Sequence, residues 1–194
     1  MTTNYSSFLI KPQSDWSNKK MHLRNVATAF LLNDNDVLMM KRAAHKKIAP
    51  GYWYGVGGHL EPNELNDPTA ACIREVWEET KIEAAQISGF KLRYIVMRRS
   101  RTEIVINYFF FGWAETREIT ANEEGTLHWV PRPEALKRKL FPAIGLTLQH
   151  YFETENILLE NGLEPDNVEF GMVTLAEGQP AIQWLDVLDW KDQD

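Results

Sequence analysis

The stretch GGHLEPNELNDPTAACIREVWEET, residues 57 to 80, constrains this chain more than any other part of it. Asp67 followed by Pro68 predicts a helix start, with Asp67 as the cap and Pro68 at the first helical position, and the helix should run to about Lys81. At ~100° per residue, Glu75, Glu78 and Glu79 fall on one face. Ile73, Val76, Trp77 and Thr80 fall opposite, with Ala70 at the margin and Cys72 near the acidic side. An acidic helix face is most often just solvated. Here, like charges at i,i+4 repel with no lysine on the face to relieve them, and a Gly57–Gly58 pair upstream lets backbone approach a ligand. Hard oxygen donors grouped this way suit Mg²⁺ or Mn²⁺, so the stretch predicts a metal site.

The remainder of the chain predicts an α/β fold. Val26–Leu32 and Val37–Lys41 read as a hairpin around Asn33–Asp36, and Tyr52–Val56 as a short aromatic strand running into the glycine corner. Lys91–Arg98 and Glu103–Trp113 are two longer strands, the second apolar enough to be central; Leu127–Val130 is another. Pro133–Leu140 reads as a helical turn, Ile144–Asn156 as a second long helix, and Val168–Leu175 with Ala181–Leu185 as a terminal strand pair. Strands and helices interleave without βαβ repetition, which predicts a mixed sheet flanked by helices. Residues 1–22 read as an N-terminal arm, and 23–194 as one domain whose end is a helix and strand-pair extension.

A net charge of -6 argues against a long nucleic acid as partner, and no run approaches the ~18 apolar residues of a membrane span. Cys72 is the only cysteine, which excludes an internal disulfide or a cysteine-based zinc cluster. The first residues lack the pattern of a secretory signal, so the cytoplasm is the expected compartment. Exchange of the terminal strands between two chains would give a homodimer.

Gly58, Glu64, Arg74, Glu75, Val76, Glu78, Glu79 and Ile82 together resemble the Nudix box: Gly, five residues, Glu, seven residues, Arg-Glu, an aliphatic residue, any residue, Glu-Glu, any residue, Gly, an aliphatic residue. Two departures stand out. Nine residues separate Glu64 from Arg74, an insertion assigned to Asn66–Asp67, and Lys81 replaces the last glycine, so the helix needs another exit or a left-handed Lys81. The resemblance implies an α/β/α sandwich around a mixed sheet. It also implies hydrolysis of a diphosphate linked to a further moiety X, on a small nucleotide substrate such as an oxidised nucleoside triphosphate or ADP-ribose.

By the same resemblance, Glu75, Glu78 and Glu79 are metal ligands, with the Gly57 carbonyl as a further one. Arg74 and Glu64 orient the helix by charge-assisted hydrogen bonds, or form a plain surface ion pair. Relatives recruit one more acid from a late loop, which points to Glu124, with Glu123 next to it as the other choice. Trp53 and Tyr54 are candidates to stack on a base or else belong to the core; Arg98, Asn107 and His150 are further contact candidates. Asn107 either faces the cleft or pairs with backbone.

Two other classes compete. A binding module on the same fold would typically lose box glutamates, yet every acidic box position is kept. An isomerase resembling isopentenyl diphosphate isomerase would want a reactive cysteine and clustered histidines, whereas Cys72 lies within the helix and the histidines are scattered.

Overall fold

The computed structural model describes residues 20–100, 102–120, 123–160 (backbone alone for 156–160) and 167–185. The bulk of the expected arm, residues 1–19, lies outside the described residues. Nine strands run β1 (His22–Asn33), β2 (Asp36–Arg42), β3 (Trp53–Tyr54), β4 (Val56–His59), β5 (Ile87–Arg99), β6 (Glu103–Ala114), β7 (Gly125–Pro131), β8 (Glu169–Ala176) and β9 (Gln179–Leu185). Helix α1 spans Pro68–Thr80, α2 Arg132–Ala135 and α3 Pro142–Glu160. The strands join in the order β3-β2-β1-β6-β5-β8-β9, with β4 also on β1 and β7 on β2. The sheet is mixed: β1–β6 and β5–β8 are parallel, the remaining pairs antiparallel. The terminal pair β8–β9 extends this same sheet.

Strand alternation divides the core in two. Phe30, Leu32, Tyr94, Phe109 and Phe111 point to one face and pack against Leu148, Tyr151 and Phe152 of α3. Ala27, Ala29, Leu31 and Phe110 point to the other and pack against Cys72 and Val76 of α1. This is the expected α/β/α arrangement, and β6 is central to it, its partners being β1 and β5.

Turn chemistry fixes the two hairpins. Asp34 takes a left-handed φ of 52° between β1 and β2, and Glu177 and Gly178 take φ of 52° and 80° between β8 and β9, the conformation a tight hairpin needs. The first hairpin is shorter than expected: β1 pairs with β2 only at Leu32↔Val37 and Asn33↔Asp36, then turns its edge to β4 from Val26 to Ala29. The aromatic segment 52–56 is likewise not one strand. Trp53–Tyr54 pair with β2, while Val56–His59 pair with β1, so the chain changes partner at Gly55. A side chain at Gly55 would lie 2.4 Å from the Ala29 carbonyl oxygen, which is why the crossing takes a glycine.

Helix α1 begins and ends as its sequence dictates. The Asp67 side chain accepts a hydrogen bond from the Ala70 N–H (2.9 Å), Pro68 opens the helix, and Lys81 closes it in the left-handed conformation, φ 64°. The inserted Asn66–Asp67 therefore supplies the cap. The buried stripe differs from the expected one: Ala71, Cys72, Val76, Glu79 and Thr80 are buried, while Trp77 is 48% exposed. The helix is rolled so that Glu75 and Glu79 reach over β4, which carries Trp77 to the surface. There Lys81 Nζ covers its ring at 4.1 Å.

Asp67→Ala removes the cap acceptor. Its expected cost is ~1 kcal/mol, or a melting temperature lower by about 2–4 °C for a chain of this length, read by thermal denaturation. An unchanged melting temperature would mean that Pro68 alone sets the start of the helix.

Candidate active site

The carboxylates of α1 meet the backbone of β4. Gly57 sits at φ 153°, where a Cβ would lie 2.1 Å from the Ala27 carbonyl oxygen, so this position takes only glycine. Its N–H donates to Glu79 Oε2 at 2.8 Å. A Cβ on Gly58 would lie 2.6 Å from the Glu75 carboxylate, so the space that glycine leaves is filled by that carboxylate. The two glycines thus lie inside a strand, not at a corner, and their lack of side chains lets α1 press two carboxylates onto it.

Arg74 organises the rest. Its Nε and Nη2 donate to Glu64 Oε1 and Oε2 at 2.7 and 2.9 Å, a bidentate pair, and its Nη1 donates to Glu75 Oε1 at 2.9 Å and Glu78 Oε2 at 3.2 Å. Repulsion between Glu75 and Glu78 is therefore eased by this arginine, while the charges of both still raise Glu79. Glu64 also accepts from the Glu61 N–H, and the Arg74 bonds hold its carboxyl down at about 2. The same contact that ties the loop to the helix uses up most of the Arg74 donors.

Glu79 is the electrostatic centre. It is 8% exposed, and burial first, then the charges of Glu75, Glu124 and Glu78, push its carboxyl up to about 8 against the opposing Gly57 hydrogen bond. Burial also raises Glu75, with Arg74 opposing. Cys72 is fully buried and its thiol is pushed up by burial and by Glu75 and Glu79, the opposite of what a reactive thiolate needs.

Glu124 lies at the start of β7, within electrostatic reach of Glu79. Lys46 Nζ donates to its Oε1 at 2.6 Å, and Arg42 Nη1 stands 3.9 Å from its Oε2. Glu123 is exposed. Tyr54 shares this side: its hydroxyl donates to Met40 Sδ at 3.1 Å and is raised by burial and by Glu79. Trp53, one residue earlier, faces the other way, packed on the α3 core with Arg138 4.9 Å over its ring and the His128 ring at 5.1 Å. Lys46 and Arg42 were not singled out in the sequence, because 78 residues separate Lys46 from Glu124.

A second group gathers on the α3-facing side of the sheet, beyond the end of that helix. Arg24, Val105 and Arg98 lie side by side across β1, β6 and β5, and Asn107 is two residues along β6 on the same face. The Asn107 amide donates to the Val96 carbonyl at 3.3 Å. Arg24 donates to His59 Nε2 at 3.1 Å through Nε and pairs with Glu103 at 3.4 Å. Burial and the Arg24 charge lower both His59 and Arg98. His150 lies elsewhere, between the Tyr94 hydroxyl (3.2 Å), Glu169 (3.7 Å) and the Trp184 ring, fastening the β8–β9 pair to the core.

The donor set fits a hard divalent cation. Glu75, Glu79 and Glu78 offer oxygen alone, and the burial and charge crowding that raise the Glu79 carboxyl are what a cation would offset. Among the described residues, no three acidic, histidine or cysteine side chains converge as a closed cage would require. Arg74 Nη1 instead bridges Glu75 and Glu78, and Lys46 pairs with Glu124.

The Nudix domain model matches residues 21–151. The chain belongs to the Nudix family. The fold also matches the mutator MutT protein of Bacillus halodurans (TM-score 0.61, 18% identity, 83% of this chain and 97% of that one). It matches the Ap4A hydrolase of C. elegans as well (TM-score 0.58, 16% identity, 69% and 98%). In sequence it is similar to the bovine m7GpppN-mRNA hydrolase NUDT17, 34% identical over 61 residues. That stretch is 31% of this chain and only 20% of the bovine protein, so the chain spans about a fifth of the length of that relative. No helix among the described residues of this Nudix protein is long and apolar enough to cross a membrane.

The raised Glu79 carboxyl has a consequence for stability. Glu79 holds its proton more tightly folded than unfolded, so its contribution is complete below about pH 4.5 and is lost as pH rises through about 8. The lowered His59 works the other way. The comparison with Glu79→Gln therefore isolates Glu79: in chelator, the glutamine variant should gain on wild type by about 1 kcal/mol or more between pH 5 and 8. Parallel stability curves for the two proteins would show that Glu79 titrates normally.

Proposed function

We propose that this Nudix chain hydrolyses the diphosphate linkage of a nucleoside diphosphate joined to a moiety X, in a reaction dependent on Mg²⁺ or Mn²⁺. The observation that carries this reading is the buried Glu79 carboxylate, held at the Gly57 N–H among Glu75, Glu78 and Glu124. Glu75, Glu78, Glu79, Glu124 and the Gly57 carbonyl would hold the metal. When bound, it would neutralise the diphosphate and lower the pKa of a water molecule.

In the overall reaction a water oxygen forms a new P–O bond, the bridging P–O bond breaks, and the proton released passes to a carboxylate. Glu124, less buried than Glu79 and within electrostatic reach of it, is the base we favour over Glu123. Arg74 and Glu64 fix the pitch of α1 and with it the separation of Glu75, Glu78 and Glu79. Arg98 and Asn107, with Arg24 and His59 beside them, are proposed to contact the base or X, and Tyr54 to line the approach to Glu79. Trp53 stacks within the protein and is a weaker candidate for base stacking.

An oxidised nucleoside triphosphate or an ADP-ribose type compound suits this chemistry. Two proteins similar to this chain, an Ap4A hydrolase and an m7GpppN-mRNA hydrolase, are named for compounds with a phosphate chain between nucleosides. We further propose that residues 23–194 act as one Nudix unit with 1–22 as an appended arm, working in the cytoplasm, alone or as a homodimer. A sensor module without activity is disfavoured by the complete acidic set, and an isomerase by the buried Cys72.

A panel of diphosphate compounds incubated with Mg²⁺, with products identified by mass, tests this directly. Cleavage should vanish in chelator and fall by at least about 100-fold in Glu78→Gln and Glu79→Gln. Wild-type turnover in both variants would sink the metal assignment, and binding without cleavage of any compound would favour the sensor. Glu124→Gln should lower kcat far more than it raises KM, because a base acts in the transition state, and Glu123→Gln should do neither.

A further inference from the structure

We propose that Lys46 is a positioning residue that holds Glu124 out of the metal site until an anionic substrate draws it away; this rests on the hydrolase reading above. Lys46 Nζ lies 2.6 Å from Glu124 Oε1, with side chains 24% and 46% exposed. The pair is thus partly exposed, within reach of water.

The segment that carries Lys46 is built, not dangling. Lys46 N–H donates to the Ala43 carbonyl at 3.2 Å, Arg42 Nε to the Ile48 carbonyl at 2.8 Å, and Ala49 and Gly51 turn the chain at φ 51° and 73°. The Ala43 N–H also donates to the Glu124 carbonyl at 3.1 Å. The two segments are therefore stapled by backbone, and the ion pair between their side chains can open without separating them.

The cations around the cluster differ in what they can give up: Arg42 stands 3.9 Å from the other Glu124 oxygen and is tied through its Nε to the Ile48 carbonyl. Arg74 is locked by its bidentate contact to Glu64 and spans Glu75 and Glu78 as well. Lys46 is a compact ammonium on a flexible stem, with Glu124 as its side-chain partner among the described residues. A diphosphate offers such an ammonium more negative charge than one carboxylate. When Lys46 moves to the phosphate, Glu124 loses its shortest ion pair, keeps only the longer one to Arg42 at 3.9 Å among those described, and its charge is freer to attract a cation beside Glu79. Anion binding and metal binding then assist each other, because each favours the state in which the Lys46–Glu124 pair is open. The apparent metal affinity of the substrate-free protein is reduced by the fraction of molecules in which the pair is closed.

Mn²⁺ titration of the substrate-free full chain, followed by water-proton relaxation, tests this without any turnover. Lys46→Met should bind Mn²⁺ about 2- to 5-fold more tightly than wild type, the range of a partly exposed ion pair. Lys46→Arg should bind as wild type does. The gain should disappear in Glu124→Gln/Lys46→Met compared with Glu124→Gln, and Lys46→Met should raise KM for the diphosphate. Unchanged or weaker Mn²⁺ binding in Lys46→Met, or a gain that persists without Glu124, overturns the proposal while leaving the hydrolase reading in place. No Mn²⁺ binding by wild type overturns both.

Discussion

The structure of this site depends on one imbalance: more carboxylate charge than cation around a buried glutamate. Glu79 is 8% exposed, feels the charges of Glu75, Glu124 and Glu78, and accepts a hydrogen bond from a neutral donor, the Gly57 N–H. A buried carboxylate in that setting either takes a proton or waits for a positive ion. The rest of the site is arranged so that the second outcome stays open. Arg74 is tied to Glu64 and donates to Glu75 and Glu78, while Lys46 and Arg42 stand at Glu124.

The fold creates the imbalance by bringing helix and backbone unusually close. Without side chains at Gly57 and Gly58, α1 lies against β4 closely enough for Glu75 and Glu79 to touch it. Behind α1, Cys72 and Val76 pack on Ala27, Ala29 and Leu31, so the helix cannot back away to relieve the repulsion. Stability of the apolar layer is what allows the polar edge to remain uncompensated, a common division of labour between scaffold and site.

Much of this was legible in the sequence because it is local. The i, i+3, i+4 spacing put Glu75, Glu78 and Glu79 together, Asp67–Pro68 marked the helix start, and a left-handed Lys81 was one of two exits foreseen. What was not legible is non-local. The parallel pairing of β1 with β6, which aligns Arg24 with Val105 and so with Arg98, joins residues about 80 apart that no local pattern connects. Lys46 and Glu124 are equally distant in sequence. Helical periodicity also misjudged the roll of α1: it counted Trp77 as core, whereas the demand to seat two carboxylates on β4 outweighed burial of one indole, and Cys72 took the interior place. Segment 52–56 read as one aromatic strand, whereas the chain changes partner at Gly55 from β2 to β1, a non-local pairing that no local pattern announces.

The most direct test of this account is the titration of the Glu79 side-chain carboxyl carbon by NMR in metal-free protein, repeated with saturating Mg²⁺. Burial together with charge crowding predicts a midpoint near 8 without metal, shifted far down once the ion is present, with the neighbouring glutamates following. A midpoint near the ordinary value of 4.5 in the metal-free protein, unmoved by Mg²⁺, would contradict the claim that this cluster is poised for a cation.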